Sequence, residues 1–218
     1  MQYKSKEIAI IGAGGFAKEC AAEIRNERSL DDFQIRFYVS DHMMHLYEQS
    51  SVQVSPLSSL DAQHESLFVT VAIGNPHIRK KIIESLPKET KFLSFISSQA
   101  HIMNALTVKI GRGCFICSGV IITSDVTIGD FCQLNLNTTI GHDCKIGDYF
   151  TTAPAVNISG NCTIGNIVYF GTNSATREGV SIPDGTTIGM NAGVVKSIEL
   201  DNGTWIGCPV KLLATGFE

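Results

Sequence analysis

The spacing of apolar and polar residues changes near residue 97. Before it, apolar runs alternate with stretches whose apolar positions recur at helical spacing, which predicts alternating strands and helices. In chain order these are the strand EIAIIG, the helix GGFAKECAAEIRN, the strands QIRFYV and LFVTVAIG, the helix NPHIRKKIIESL and the strand KFLSFI. Alternation with short connections implies an α/β domain with a parallel sheet, which we assign to residues 1–97.

Beyond that point a period of six residues begins. A large apolar residue, or twice a threonine, occupies all fifteen positions reached in steps of six from Ile110 to Val194. The fifth residue of each hexad is mostly small or β-branched, with Phe150 as the exception. This period predicts a parallel β-helix of hexapeptide repeats over residues 98–218, with about three hexads in each coil. Glycine follows the large residue at seven steps, and we attribute it to corners that need unusual φ.

Composition narrows the class of protein. The net charge is −4 and no basic run is present, which argues against nucleic acid as a partner. No apolar stretch approaches the ~20 residues that span a bilayer, so we expect no membrane association. The N-terminal segment has no signal-type cleavage site, and seven cysteines without framework spacing fit reduced thiols. We therefore expect a cytoplasmic protein.

Four cysteines of the second domain share one place in the repeat. They occupy the inward-facing fifth position of their hexads, namely Cys114, Cys132, Cys144 and Cys162. Residues 114–117 form a CxxC, but a single such pair is weak evidence for zinc or redox chemistry. A free cysteine packs like a small apolar residue, so we interpret the four as core.

His142 holds the chemically most suggestive position in the repeat. Coils of about 18 residues place it between Ser124 and Gly160, roughly one strand spacing from each, and facing outward. The adjacent Asp143 can orient the ring, which makes the pair a candidate general base near neutral pH. The N–H of Gly160 is a candidate oxyanion donor. The spacing equally allows an exposed histidine with no role, because solenoid corners face solvent.

The first domain carries a glycine-rich turn between a strand and a helix. GAGGFA at 12–17 satisfies G-x-G-x-x-G/A, in which glycine lets a phosphate approach the helix N-terminus. Asp41, just after the second strand, is placed to hold a ribose hydroxyl. The alternative is a tight turn that serves only the packing of helix on strand.

Together these segments resemble the NeuD/PglD-type sugar acyltransferases. The motifs are IAIIGAGGFAKE (8–19), VAIGNPHIRKKI (71–82), LNLNTTIGHDCKIGD (134–148), ISGNCTIG (158–165), GMNAGVVK (189–196) and GCPVKLL (207–213). The resemblance covers nearly the whole chain. It implies a Rossmann-like N-terminal domain, a left-handed β-helix, and a homotrimer that binds acetyl-CoA in a groove between neighbouring β-helices.

The resemblance also implies roles for single residues. His142 matches the catalytic base, Asp143 its acidic partner, Gly160 the glycine whose N–H faces the thioester oxygen, and Asn135 an asparagine near the acceptor sugar. The residues expected along the CoA groove are Gly160, Gly171, Ala175, Gly189 and Lys196. Those expected at a nucleotide-sugar diphosphate are Gly12, Gly14, Gly15, Asp41, Gly74 and Asn75.

The function expected on these grounds is acetyl transfer from acetyl-CoA to an amino or hydroxyl group of a sugar. The acceptor would be a nucleotide-linked amino sugar or sialic acid in surface polysaccharide or glycan biosynthesis, and no metal is needed. One alternative is a non-catalytic trimer of the same fold that binds nucleotide sugars. Another is a zinc enzyme built on this fold, which needs three converging histidines, whereas the repeat offers only His142, with His101 at its start.

Overall fold

The structure is a computed structural model that describes residues 6–215. These residues divide into two compact units, one that ends at Phe95 and one that begins at Ile96. The elements of the first unit are β1 (Lys6–Ile11), α1 (Gly15–Arg25), β2 (Phe33–Val39), β3 (Val54–Pro56), β4 (Leu67–Val71) and α2 (Pro76–Ser85). Short 3₁₀ helices cover Arg28–Leu30, Asp41–Tyr47 and Leu57–Ser59.

The sheet of the first unit is parallel, as predicted. Its strand order is β3-β2-β1-β4, and every pairing between neighbours is parallel. The central β1 is buried from Ile8 to Ile11, which explains its uninterrupted apolar sequence. Strand β3 was not predicted. The strand predicted over KFLSFI is shorter than expected, with one isolated bridge from Phe92 to Val69 and a two-residue strand, β5 (Phe95–Ile96).

In the second unit each hexad forms one strand of two residues. In chain order these are β6 (His101–Ile102), β7 (Lys109–Ile110), β8 (Phe115–Ile116), β9 (Ile121–Ile122), β10 (Thr127–Ile128), β11 (Gln133–Leu134), β12 (Thr139–Ile140), β13 (Lys145–Ile146), β14 (Thr151–Thr152), β15 (Asn157–Ile158), β16 (Thr163–Ile164), β17 (Tyr169–Phe170), β18 (Ala175–Thr176), β19 (Ser181–Ile182), β20 (Thr187–Ile188) and β21 (Gly193–Val194). Two longer strands follow, β22 (Gly203–Ile206) and β23 (Lys211–Thr215).

The strands from β6 to β21 stack in parallel into three sheets, the faces of a left-handed β-helix. The sheet orders are β19-β16-β13-β10-β7, β21-β18-β15-β12-β9-β6 and β23-β22-β20-β17-β14-β11-β8-β5. Partners such as Ile146 and Ile164 lie 18 residues apart, which confirms the predicted coil length. Each of the fifteen predicted large positions is the second residue of its strand. The antiparallel β22–β23 pair lies beyond the last regular hexad and was not predicted.

The interpretation of the glycines that follow the large residues is wrong. Glycines such as Gly129 and Gly141 do not have positive φ; the left-handed residue comes two positions later, for example Phe131 (φ 57) and Asp143 (φ 59). What these glycines allow is close stacking of coils. A Cβ on Gly141 would lie 2.6 Å from the backbone nitrogen of Gly160 on the next coil.

The interior of the β-helix confirms the predicted core role of the cysteines. Cys114, Cys132, Cys144 and Cys162 are buried, and none of the four forms a disulfide. The exceptional Phe150 is fully buried and packs its ring edge-on against Phe170, with centroids 5.7 Å apart. Among residues 6–215, no helix combines the length and apolarity needed to cross a bilayer.

Candidate active site

The corner between β12 and β13 carries His142 and Asp143. Backbone bonds to the coils on either side hold this corner in place. The N–H of Asp143 donates to the carbonyl of Ser124 (3.1 Å), and the carbonyl of His142 accepts from the N–H of Asn161 (2.7 Å). Aspartate is one of the few residues that tolerates the left-handed conformation found at position 143. The outward placement predicted from the period is confirmed.

His142 and Asp143 form a hydrogen-bonded pair. Nδ1 of His142 and Oδ2 of Asp143 lie 2.8 Å apart, and about half of each side chain is exposed (53 % and 55 %). The bond to Asp143 raises the pKa of His142 above its ordinary value, and the negative charges of Asp143 and Glu178 act in the same direction. When Nδ1–H donates to the carboxylate, Nε2 is the nitrogen that can accept a proton.

The imidazole of His142 lies directly over Gly160 of the next coil. A Cβ at position 160 would be 2.7 Å from Cε1 and from Nε2 of the ring. Real Cβ contacts are not that short, so any other residue at 160 would push the imidazole away. The absence of a side chain at Gly160 therefore allows the position that Nε2 occupies. It also leaves the backbone of Gly160 uncovered next to Nε2.

The N–H of Gly160 differs from the equivalent groups at a neighbouring corner. At that corner each backbone N–H donates to Oδ1 of the residue 18 positions later, at 2.7–2.8 Å. The donor and acceptor residues are Asp130 and Asp148, Asp148 and Asn166, and Asn166 and Asp184. In the part of the chain that the structure describes, no acceptor caps the N–H of Gly160 in this way. An uncapped backbone donor beside a candidate base can stabilise a developing oxyanion.

The peptide that precedes Gly160 is held by one of the two threonines in the repeat. The N–H of Ser159 donates to Oγ1 of Thr176 (3.0 Å), and Oγ of Ser159 donates to the carbonyl of Thr176 (2.6 Å). This double contact explains why a polar residue replaces the usual large apolar one at Thr176. It also keeps the backbone around Gly160 rigid, which a preorganised donor requires.

The glycine-rich turn of the first unit lines a separate cleft of about 410 Å³. Gly12, Gly14, Gly15 and Gly74 all contribute to its wall, so the structure brings together these four predicted residues. At Gly14, Gly15 and Gly74 an added Cβ would meet nothing within 4 Å, which leaves the backbone accessible from the cleft. Residues that the sequence did not single out, including Phe16, Met43, Tyr47 and Ile78, form the apolar part of the wall.

Two other predicted residues lie outside this wall. Asn75 caps α2, and its Oδ1 accepts the N–H of His77 (2.9 Å) and of Ile78 (3.1 Å). Asp41 accepts the N–H of Ser58 at 3.2 Å, and this bond lowers the pKa of its carboxyl. Both side chains therefore satisfy local backbone donors, and neither is among the residues that line the glycine cleft.

Comparison with known proteins covers both units. Residues 7–86 match the family of PglD N-terminal domains. The acetyltransferase domain of PglB from Neisseria gonorrhoeae is 28% identical and superposes with a TM-score of 0.80 over 95% of this chain and 100% of that one. WeeI from Acinetobacter baumannii is 29% identical, with a TM-score of 0.83 over 94% of this chain and 99% of that one. The chain is thus similar to these acetyltransferases over nearly its whole length, and its first unit matches the PglD N-terminal domain.

PerB from Caulobacter crescentus, in complex with CoA and GDP-perosamine, is 23% identical and shares the fold with a TM-score of 0.76 over 95% of this chain and 97% of that one. The PglB domain has also been solved in complex with acetyl coenzyme A. No curated protein sequence matches the chain. The resemblance inferred from the sequence motifs, the fold class and the enzyme class are thus confirmed.

In this acyltransferase the predicted groove residues divide between two corners of the β-helix. Lys196 lies in the column of His142 and Gly160, at the same corner. Gly171 and Gly189 lie at the corner that precedes β18 and β21, and Ala175 lies in β18, on the face between the two corners.

Asn135 lies with Gly171 and Gly189, away from His142. Its Oδ1 accepts the N–H of Leu136 at 2.7 Å, and its own N–H donates to Oγ1 of Thr152 at 2.9 Å. A single chain therefore does not gather all the predicted residues at one point.

One polar residue near His142 escaped the sequence analysis. Glu178 follows Gly160 in the same column, and its Oε1 accepts a hydrogen bond from Nδ2 of Asn161 at 2.8 Å. Glu178 lies 36 residues after His142, which is two coils of the repeat. The six-residue period was therefore enough to predict that Glu178 lies in the column of His142.

Proposed function

We propose that the chain transfers the acetyl group of acetyl-CoA to an amino or hydroxyl group of a sugar, and that the sugar is nucleotide-linked. The observation that carries the proposal is the His142–Asp143 pair, whose free Nε2 lies over the uncapped backbone of Gly160. The PglB and PerB structures that contain acetyl-CoA, CoA and GDP-perosamine support the choice of donor and acceptor class.

His142 acts as the general base in this proposal. Nε2 removes a proton from the acceptor nitrogen or oxygen as that atom attacks the thioester carbonyl carbon. The N–H of Gly160 donates to the carbonyl oxygen while it carries negative charge. When the carbon–sulfur bond breaks, the imidazolium returns the proton to the leaving thiolate, and CoA departs as a thiol. Asp143 holds the ring and stabilises its charged form.

The remaining predicted residues serve binding. We propose that the glycine cleft holds the diphosphate of the acceptor, since its backbone is accessible beside the N-terminus of α1. Gly171, Ala175, Gly189 and Lys196 would line the path of CoA, and Asn135 would face the sugar.

The proposal also includes the oligomeric state of the protein, its compartment and the process that it serves. We propose a homotrimer, because the groove residues and His142 occupy different corners of one chain. None of the seven cysteines forms a disulfide, which agrees with a reducing compartment such as the cytoplasm. Surface polysaccharide or glycan biosynthesis is the process that an acetylated nucleotide sugar would supply.

The decisive experiment compares His142→Ala with the wild-type chain. Purified protein is mixed with acetyl-CoA and a panel of UDP-, GDP- and dTDP-linked amino sugars plus sialic acid, and thiol release is followed. Loss of a general base lowers turnover by ~10²–10⁴-fold. We expect that loss in His142→Ala, with acetyl-CoA binding and oligomeric state unchanged.

His101→Ala is the matched control, since His101 is the other histidine of the β-helix and is also exposed. It should keep full turnover. Undiminished turnover in His142→Ala would contradict the mechanism. A wild-type chain that binds nucleotide sugars but not acetyl-CoA would support instead the non-catalytic scaffold of the same fold.

A further inference from the structure

We propose that the buried hydroxyl of Thr176 sets the direction of the Gly160 N–H, so that Thr176 is a positioning residue for the reaction. The inference rests on the proposed acetyl transfer, in which that N–H stabilises the oxyanion. It starts from the two threonines that replace large apolar residues in the six-residue period, Thr152 and Thr176, both of which are buried. An apolar side chain would fill either place without a polar group to satisfy.

At Thr176 two hydroxyl groups replace one bond of the regular backbone ladder. Where the period is apolar, the N–H that follows a strand donates to a backbone carbonyl of the next coil, as Gly141 donates to Ile158 at 2.8 Å. One coil later, the N–H of Ser159 donates to Oγ1 of Thr176 at 3.0 Å. The carbonyl of Thr176 accepts instead from Oγ of Ser159, at 2.6 Å.

The other threonine of the period confirms that the hydroxyl causes this change. Oγ1 of Thr152 accepts the N–H of Asn135 at 2.9 Å. Strand pairing is shortened at the same two places, since β15 and β18 share one residue pair in register, as do β11 and β14. Pairs such as β12–β15 and β13–β16, whose later strand carries isoleucine in the period, share two.

The peptide group between Ser159 and Gly160 has its carbonyl inward and its N–H outward. The carbonyl of Ser159 accepts a hydrogen bond from Sγ of the fully buried Cys144, at 3.2 Å. This peptide bond is trans, and in a trans peptide the N–H points away from the carbonyl. The N–H of Gly160 therefore points away from the core, towards the surface on which His142 lies.

Three hydrogen bonds thus fix Ser159, the residue that carries this peptide group. A thiol is a weak donor, so the two bonds to Thr176 are the stronger part of the arrangement. Without the hydroxyl of Thr176, the N–H of Ser159 returns to a ladder bond with the carbonyl at position 176, and the following peptide turns with it. Displacing a group by about 1 Å from its place in the transition state can lower the rate by ~10²-fold.

Thr176→Val tests the proposal, because valine has nearly the shape of threonine and lacks only the hydroxyl. kcat, both KM values and thermal unfolding are measured with acetyl-CoA and the panel acceptor from which the wild type releases thiol fastest. Thr176→Ser keeps Oγ and serves as the rescue. Thr186→Val is the matched control, since Thr186 is fully buried and its Oγ1 donates to the carbonyl of Pro183 at 2.8 Å, within its own corner.

We expect kcat of Thr176→Val to fall by about ten- to a hundred-fold, with both KM values unchanged, because the Gly160 N–H acts only on the transition state. Thr176→Ser should keep kcat near the wild-type value, and Thr186→Val should match the wild type. The melting temperatures of Thr176→Val and Thr186→Val should be similar, because each loses a buried hydroxyl from the same interior.

Ser159→Ala removes the second hydroxyl and keeps the proposal testable if Thr176→Val does not fold. It frees the carbonyl of Thr176 to compete for the N–H of Ser159, so kcat should fall with unchanged KM values. The double variant Ser159→Ala/Thr176→Val should be no slower than the slower single variant, because the two hydroxyls act as one unit. Losses that multiply would contradict this coupling.

The remaining outcomes separate this inference from the proposed function. If the wild type releases thiol with no acceptor, the proposed function fails and the inference fails with it. If the wild type is active and His142→Ala is not, but Thr176→Val keeps its kcat, acetyl transfer stands and the role of Thr176 is overturned. The role is also overturned if Thr176→Ser or Thr186→Val is as slow as Thr176→Val, because the loss then does not depend on the hydroxyl at position 176.

Discussion

At the scale of single residues, the protonation of His142 should decide the pH dependence of turnover. The base must be neutral to accept a proton, and Asp143 and Glu178 raise its pKa above 6.5. Activity should therefore fall as the pH drops through a value above 6.5. In Asp143→Asn the main cause of the increase is gone, so the acidic limb of the kcat profile should move to lower pH. The maximal kcat should fall as well, because the ring loses its anchor.

Asp125→Asn is the control for that profile. Asp125 lies one coil before Asp143 in the same left-handed position (φ 58), but it has no histidine beside it. Its substitution should leave the limb in place. An Asp143→Asn profile that overlays the wild type would show that another group controls the protonation step.

What the sequence predicted at this scale depended on the repeat. The period of six residues alone places His142 outward and next to Gly160 of the following coil, because residues 18 positions apart stack. Side-chain partners could not be counted in this way. Asn75 and Asp41 are polar residues at suitable places near a strand end, yet both satisfy nearby backbone donors. Only the geometry shows which acceptor is already occupied.

At the scale of elements, the glycine turn before α1 combines two different requirements. Gly12 has φ 116, and a Cβ there would lie 2.8 Å from the carbonyl oxygen of Ala72, whereas Gly15 faces open space. Gly12→Ala should therefore destabilise the first unit by about 1–3 kcal/mol. Gly15→Ala should melt like the wild type, since alanine suits the first turn of a helix. Thermal unfolding followed by circular dichroism measures both.

The same pair of variants tests the cleft. The methyl group of Gly15→Ala enters the wall of the cleft, so it should raise the KM for a nucleotide-linked acceptor and leave the KM for acetyl-CoA unchanged. Unaltered acceptor KM in Gly15→Ala would favour the turn that serves packing alone. Equal melting temperatures for the two variants would contradict the assigned role of Gly12.

Regular elements were predictable and irregular ones were not. Each two-residue strand from β7 to β21 follows the apolar period, since the inward position must be filled on every coil. Strands β3, β22 and β23 are short or partly exposed and carry no such period. The glycines after the large residues were found correctly and explained wrongly, because a composition pattern does not distinguish a need for positive φ from a need for close stacking.

At the scale of the whole molecule, the predicted site residues occupy separate corners of one β-helix. His142, Gly160 and Lys196 lie at one corner, whereas Gly171 and Gly189 lie at another. A head-to-tail trimer brings one surface of a chain against a different surface of the next, so residues of two corners can meet across the interface. The proposed trimer thus explains why the predicted site residues lie at two separate corners of each chain.

A mixing experiment tests whether each site is shared. His142→Ala removes the base. Gly189→Arg fills the groove, where its Cβ would lie 2.8 Å from Cγ2 of the exposed Ile206. Each variant alone should be almost inactive. Coexpressed in equal amounts, the two chains should recover about a quarter of wild-type turnover. A shared site is intact only where a Gly189→Arg chain supplies His142 and the neighbouring His142→Ala chain supplies Gly189, and random assembly gives this pairing at about one site in four. Mixed trimers, verified by sedimentation and by differently tagged chains, that recover no activity would place the whole site on one chain. Recovery near a quarter would assign His142 and Gly189 of each site to different chains.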